Sequence, residues 1–350
     1  MKRGDGLRGM VRLAVTATKG VTDVVQATHG AIGGAPARLF SAPVYASIRG
    51  ITSLVGGALE AGLSLATPVL GELAEGPERE LFLAALNGVL GDHLAATGNP
   101  LAIAERLQRA DEAPATGKIL VLVHGSSMNA RSWQSARADG FTRVHFDYNS
   151  GLHVSVNGRR LSAMLEKLVA DWPVPVEEVS IVAHSMGGLV TRSACHYAGA
   201  DALWRSKLRT IVFLGTPHHG APLERVGNWL ETLLGVTRYS APIAGLGRLR
   251  SAGVTDLRFG NVVDEDWQDR DRFELASDAR TPVPLPPEVA CYAVAADRDP
   301  LVPRSSALGE HGTHGLEFPE SHRYVAPSCG HIDLLTDTSV WDHVTSWLSR

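Results

Sequence analysis

The chain contains few cysteines and no excess of positive charge, and each shortage excludes a class of protein. Among its 350 residues are only Cys195, Cys291 and Cys329, which are too few for a disulfide scaffold and fit a reducing compartment. Lys and Arg number 33 against 37 Asp and Glu, a formal net charge of -4. A nucleic-acid binder needs a concentrated basic surface to neutralise phosphates. We therefore expect a cytoplasmic protein with no nucleic-acid partner.

Long apolar runs are also missing. A bilayer span needs about 20 consecutive apolar residues, and no stretch of the chain approaches that length. The charged start at Lys2 and Arg3 is followed by further charges such as Arg12, so the pattern is not that of a signal peptide. With 44% apolar and 20% charged residues, the composition is that of an ordinary globular protein.

Residues 1–113 carry apolar side chains three and four positions apart, which is typical of amphipathic helices. One such set is Leu83, Leu86 and Leu90, which follows a break at Gly76-Pro77. We predict a helical N-terminal arm over 1–113 that supplies no catalytic group. Two roles stay open: a cap packed on the main domain, or peripheral docking to a membrane or polymer surface. The cap is the simpler interpretation, and the seven basic and three acidic residues among positions 1–60 keep the second role open.

From Lys118 onward, β-prone apolar runs alternate with helical patterns. Such alternation predicts an α/β fold, with a mostly parallel sheet covered by helices on both faces, over residues 114–350. We expect Asn157 to cap a helix after the second strand. The predicted strands are at 119–123, 141–146, 179–183, 208–214, 289–294 and 322–325, and a last helix is predicted at 340–348.

The third predicted strand runs into the segment Ala-His-Ser-Met-Gly-Gly, whose serine is Ser185. A serine between a strand and a helix, with Ala183 and Gly187 two residues to either side, has the form of a nucleophile elbow. The turn must be tight to hold the hydroxyl clear of the sheet, and bulky neighbours would clash across it. The first small position is Ala rather than the commoner Gly.

A serine nucleophile needs donors for the negative charge that develops on the attacked carbonyl oxygen. The first predicted strand ends in His124-Gly-Ser126, a turn that suits such a donor loop. We expect the backbone N–H groups of Ser126 and Met186 to form the oxyanion hole, and His124 to shape the loop rather than act as the base.

The general base and its orienting acid are expected after the serine, in the order acid and then base. His331 lies between the last predicted strand and the last helix, where a base can reach the serine. Two candidate acids, Asp297 and Asp299, follow the fifth predicted strand. We interpret Cys329, close to that histidine, as a packing residue.

These ordered motifs resemble the α/β-hydrolase superfamily, specifically its lipase-like members. The segment Leu214-Gly-Thr-Pro-His-His-Gly220 is similar to one in bacterial triacylglycerol lipases and in lipases related to GPI-inositol deacylases. The resemblance covers about two thirds of the chain. It implies Asp299 as the acid, because in this fold the acid commonly precedes Val-Pro with the spacing Asp-x-x-Val-Pro.

The resemblance also implies an insertion, at about 221–285, that covers the active site as a lid. Trp229, Leu230 and Leu233 fall on one helical face there, and we expect them to contact substrate. A buried structural helix is the alternative. His218 and His219 are adjacent and lack a suitably spaced partner, so we expect no metal and no cofactor.

Three functions remain open at this point. The first is a serine carboxylic-ester hydrolase, an esterase or lipase acting on an ester or lipid-like substrate through Ser185, His331 and Asp299. The second keeps this triad but makes the protein an acyltransferase or an intracellular polyester depolymerase. The third is a non-catalytic protein that binds lipid or polymer surfaces.

Overall fold

The computed structural model describes residues 76–221, 251–268 and 280–350. In these residues a single mixed sheet holds seven strands in the order β1-β3-β2-β4-β5-β6-β7. The strands are β1 (Arg106–Arg109), β2 (Lys118–Val123), β3 (Thr142–Asp147), β4 (Glu178–His184), β5 (Leu208–Leu214), β6 (Ala290–Ala296) and β7 (Arg323–Ala326).

Every strand from β2 to β7 is parallel to its neighbours, and only β1 runs antiparallel, beside β3. The predicted fold class is therefore confirmed. Alternate residues of β2 enter opposite cores: Ile119 and Val121 contribute to one, Leu120 and Leu122 to the other. Because both faces of the strand are buried, its sequence is a continuous apolar run.

Helices cover both faces of this sheet. On one side α2 and α3 pack together, with Gly158 so close that a Cβ there would lie 2.3 Å from Ser193 Oγ. Trp341 and Val344 of the last helix belong to the core on the other side. The helices are α1 (Pro77–Ala96), α2 (Val154–Ala170), α3 (Met186–Tyr197), α4 (Leu203–Lys207), α5 (Ala252–Phe259), α6 (Arg304–Ala307) and α7 (Thr338–Leu348).

The predicted cap at Asn157 is wrong. Helix α2 begins three residues earlier, at Val154, and Asn157 lies buried inside it with its side-chain amide donating to Asn149 O at 2.9 Å. The N–H of Val154 instead donates to a carboxylate oxygen of Asp256 at 2.8 Å. A distant residue of α5 therefore takes the role expected of a local cap, and sequence spacing gives no sign of it.

The predicted arm includes a strand that periodicity did not indicate. Strand β1 pairs with β3, and Arg106 donates to Asp147 Oδ2 from both Nε and Nη2 at 3.0 Å. The residues of β1, Arg-Leu-Gln-Arg, are exposed or half-buried, and three of the four are polar, so the sequence does not show the apolar pattern of a strand. Helix α1 begins at Pro77, where the predicted break lies, as suits proline in a first helical turn. Residues 1–75 lie outside the described part of the chain.

The three cysteines are free thiols. Burial raises the pKa of Cys195 and Cys291 to about 12 and that of Cys329 to about 11. Within the residues described, no helix has the length and apolar character needed to cross a bilayer.

Candidate active site

Ser185 occupies the junction between β4 and α3 with a strained backbone. Its φ of 55° and ψ of -123° lie where a non-glycine residue is seldom found. The peptide N–H of Ser185 donates to Leu214 O of the neighbouring strand at 2.9 Å, which fixes the turn on the sheet. The residue is 1% exposed. This is the geometry that the sequence predicts for a nucleophile elbow.

Close contacts with neighbouring loops require the small residues Gly187 and Gly188 after Ser185. A Cβ on Gly187 would lie 2.3 Å from Val123 O and 2.6 Å from His124 O, so α3 begins in direct contact with the end of β2. A Cβ on Gly188 would lie 1.9 Å from Thr216 Oγ1. The first turn of α3 is thereby held between the loops that follow β2 and β5.

His331 and Asp299 form a buried pair. The Nδ1 atom of His331 lies 2.7 Å from Asp299 Oδ2, and the two side chains are 1% and 2% exposed. The other oxygen of Asp299 accepts the N–H groups of Leu301 and Val302 at 2.8 and 2.9 Å. Burial raises the pKa of Asp299, but the charge and hydrogen bond of His331 and the two amides outweigh it, so the pKa falls below its usual value.

The alternative acid, Asp297, is in a different environment. It is exposed, and its peptide N–H donates to Ala326 O at 3.1 Å. Of the two carboxylates left open by the sequence, the structure pairs Asp299 with His331.

The same edge of the sheet brings this pair to the elbow. Leu214 O accepts the N–H of Ser185, and the next residue, Gly215, approaches the imidazole so closely that a Cβ there would lie 3.2 Å from both Cε1 and Nδ1 of His331. The loops that follow β4, β6 and β7 carry Ser185, Asp299 and His331, and they therefore meet around the carboxyl end of β5 although these residues are far apart in sequence.

The loop after β2 lies directly against the serine. A Cβ on Gly125 would lie 3.1 Å from Ser185 Cβ and 2.9 Å from His184 Nδ1. Ser126, the next residue, is 2% exposed. Met186 is the first residue of α3, where a peptide N–H has no acceptor four residues earlier within the helix. The elements that carry both predicted oxyanion donors are thus adjacent to Ser185.

His124 holds this loop by its side chain and its backbone. Its Nδ1–H donates to Gly125 O at 2.7 Å, its ring stacks on Tyr148 at 4.4 Å between centroids, and the Tyr148 hydroxyl donates to His124 O at 2.8 Å. Burial lowers the pKa of His124, although the charge of Asp147 opposes the shift. These contacts fit the predicted loop-shaping role.

Sequence reasoning did not single out His184, which touches the base. Its Nε2 donates to His331 O at 3.1 Å, and the two rings lie 4.8 Å apart between centroids. Burial, followed by the charge of His331, lowers the pKa of His184 to about 3. His184 is therefore a neutral donor that holds the backbone of the His331 loop. Its position immediately before Ser185 was the only available signal.

The other histidines near the insertion do not form a recognisable metal site. His218 is buried edge-on to Phe213 at 4.9 Å between centroids, and burial lowers its pKa. His219 lies 4.8 Å from the His311 ring, and burial lowers its pKa to about 4. In the described part of the chain, no group of three or more His, Cys, Asp or Glu is arranged to hold a metal ion.

The residues predicted to contact substrate lie outside the described residues. Trp229, Leu230 and Leu233 fall within 222–250, so their role stays a prediction. The same holds for most of the predicted lid, of which residues 221, 251–268 and 280–285 are described.

A family described as a domain of unknown function (DUF7379) matches residues 95–257. In structure the chain is similar to the mature form of a Bacillus licheniformis lipase, at 16% identity and a TM-score of 0.46, over 70% of this chain and 98% of that chain. It is also similar to a thermophilic esterase of Thermogutta terrifontis, at 14% identity and a TM-score of 0.41, over 71% of this chain and 94% of that chain. A third similar structure is lipase B of Aspergillus fumigatus, at 15% identity and a TM-score of 0.42, over 72% of this chain and 57% of that chain. No curated protein matches the chain significantly.

Proposed function

We propose that this protein is a serine carboxylic-ester hydrolase. The observation that carries the proposal is the buried Asp299–His331 pair, whose histidine accepts a hydrogen bond on its backbone oxygen from His184, the residue before Ser185. Ser185 itself lies at a strained turn between a strand and a helix. A nucleophile, a base and an orienting acid in this relation are the working parts of acyl transfer to serine.

In the proposed first step, Ser185 Oγ attacks the ester carbonyl carbon while His331 Nε2 takes the hydroxyl proton. Asp299 accepts the Nδ1–H of His331, which leaves Nε2 unprotonated so that it can act as the base, and it stabilises the imidazolium that forms. The amides of Ser126 and Met186 donate to the oxyanion. Collapse of the tetrahedral intermediate expels the alcohol, which receives the proton from His331.

The second step reverses these roles with water. His331 takes a proton from water, the hydroxide adds to the acyl carbon, and Ser185 leaves with the proton returned by His331. An acyltransferase or a polyester depolymerase would share this chemistry and differ in the acceptor or in the acyl group. Product analysis with added alcohol or with hydroxyalkanoate oligomers separates these cases.

The test is hydrolysis of short-chain and long-chain p-nitrophenyl esters by the wild type and by Ser185→Ala. We expect the variant to lose about 10⁶-fold in kcat, because it has no nucleophile, and to escape labelling by a fluorophosphonate. Ser206→Ala removes an exposed serine hydroxyl that only donates to Leu203 O, and it is the matched control. Equal turnover by Ser185→Ala and the wild type, or labelling of another residue, would refute the proposal.

A further inference from the structure

Helix α1 lies against the loops that follow β2 and β3. We propose that α1 is a positioning element of the active site, which fixes the backbone of the oxyanion loop through contacts of Gly88 and Gly91. The inference rests on the function proposed above, because it assigns a role to α1 in that reaction. It goes further by making the predicted arm, which supplies no reacting group, necessary for the rate of the chemical step.

The first contact is between Gly88 and the residue after the oxyanion donor. A Cβ on Gly88 would lie 1.9 Å from Ser127 Oγ, 2.9 Å from Ser127 Cβ and 3.1 Å from Ser127 Cα. Rotation of the hydroxyl cannot relieve the last two distances. Ser127 has a φ of 60°, which an L-residue rarely adopts. Helix α1 therefore abuts the loop at its strained residue, one position from Ser126.

The second contact reaches the same loop through the loop that follows β3. Asn149 Nδ2 donates to Gly91 O at 2.9 Å, and a Cβ on Gly91 would lie 1.8 Å from Asn149 Oδ1. The next residue, Ser150, accepts the peptide N–H of Ser127 on its Oγ at 2.9 Å. The two loops are thus tied to each other, and α1 contacts both.

Helix α1 is itself held by hydrogen bonds to two other parts of the protein. Ser251 Oγ donates to Gly88 O at 2.7 Å, and the N–H of Ala252 donates to Asp92 Oδ2 at 2.9 Å, which joins α1 to the start of α5. Asn87 donates to Leu101 O at 2.8 Å and accepts the N–H of Ile103 at 2.9 Å. These bonds join α1 to the segment that leads into β1.

The consequence for the reaction follows from where the donors act. The N–H of Ser126 belongs to the Gly125–Ser126 peptide unit, which only the Ser126–Ser127 peptide unit separates from Ser127 Cα, so a shift of Ser127 re-aims it. Oxyanion donors stabilise the transition state more than the bound ester, and a misplacement of about 1 Å can cost about 10²-fold in rate. A disturbed α1 should therefore lower kcat and leave KM nearly unchanged.

The experiment uses the full chain and p-nitrophenyl esters, with Gly88→Ala as the disturbing variant. We expect kcat to fall about 10- to 100-fold and KM to stay within about three-fold, with an unchanged far-ultraviolet circular dichroism spectrum. Gly199→Ala is the matched control, because a Cβ there meets nothing within 4 Å.

A double-mutant cycle makes the assignment specific. Ser127→Gly removes the Oγ and Cβ that the new methyl would meet, and Ser127→Ala removes only the Oγ. If α1 acts through Ser127, Gly88→Ala should cost least in kcat in the Ser127→Gly background, more in Ser127→Ala and most in the native background.

The outcomes separate the inference from the proposed function. A wild type that does not turn over esters refutes the function. If the wild type is active and Gly88→Ala is folded with the same kcat, the inference is refuted. It is also refuted if Gly88→Ala lowers kcat equally in the native, Ser127→Ala and Ser127→Gly backgrounds. If Gly88→Ala is insoluble, Gly88→Ala/Ser127→Gly decides: soluble and active protein supports the inference, and insoluble protein overturns it.

Discussion

Two aspartates in the loop after β6 differ in role because their side chains point into different surroundings. Asp297 is exposed, whereas the carboxylate of Asp299 is almost wholly buried against His331 and two backbone amides. The hydrogen bonds to its charged form hold the pKa of Asp299 below the usual value despite burial. Asp299 therefore stays ionised through the neutral pH range, as its proposed role beside a general base requires.

Substitution of the two aspartates tests this difference. Asp299→Asn replaces an acceptor with an amide that can favour the wrong tautomer of His331, and we expect kcat for p-nitrophenyl esters to fall about 10⁴-fold. Asp297→Asn, a matched change two residues away, should keep kcat within about two-fold of the wild type. Comparable losses in the two variants would contradict the assignment of Asp299.

At the scale of the element, the elbow depends on how tightly α3 begins against β2. The contact partners of Gly187 are backbone carbonyl oxygens, which cannot rotate away as a side chain could. The strained φ of Ser185 and the close contact of α3 with β2 therefore belong to the same tight turn. The sheet sets the strand end, and the glycine lets the helix begin there.

The variant Gly187→Ala tests whether α3 must begin this close to β2. The new methyl would overlap the carbonyl oxygens of Val123 and His124, and relief requires a backbone shift that costs about 1–3 kcal/mol. We expect the free energy of unfolding in urea to fall by that amount and ester turnover to fall with it. Gly199→Ala, with open space around its Cβ, should match the wild type in both. A Gly187→Ala protein as stable as the wild type would show that the helix start tolerates movement.

At the scale of the whole molecule, several histidines are buried in the neutral form. Burial lowers the pKa of His124 and His218, and lowers that of His184 to about 3. In an unfolded chain these histidines bind protons below their ordinary pKa of 6.5, whereas in the folded chain they stay neutral to lower pH. The unfolded state therefore gains protons as the pH falls, and stability decreases.

Urea unfolding as a function of pH measures this effect. We expect the free energy of unfolding to be nearly constant between about pH 7 and 8, before the thiols of the unfolded chain lose protons, and to fall below pH 6.5 by about 1.4 kcal/mol per pH unit for each such histidine. His218→Leu, which removes the imidazole beside Phe213, should reduce the slope by about one proton and leave the free energy of unfolding constant between about pH 7 and 8. An unchanged slope would mean that His218 is not buried neutral.

Much of the fold and part of the site can be read from local sequence. Runs such as residues 208–214 are β-prone and apolar at nearly every position, so strand β5 appears within its predicted bounds. Strand β1 could not be predicted, because its residues are half-exposed and its pairing with β3 is the only reason it is extended. The acceptor at the start of α2 could not be predicted for a similar reason, since Asp256 belongs to a helix that is distant in sequence.

The sequence by itself determined the order of the parts: a mostly parallel sheet, a serine at a strand-to-helix turn with small flanks, and a later histidine. These follow from patterns within about ten residues, where sterics and burial act locally. Only the tertiary structure decided which aspartate pairs with His331, that His184 supports the same loop, and that Gly88 meets Ser127. Those relations join residues tens to more than a hundred positions apart, and close packing between separate elements creates them.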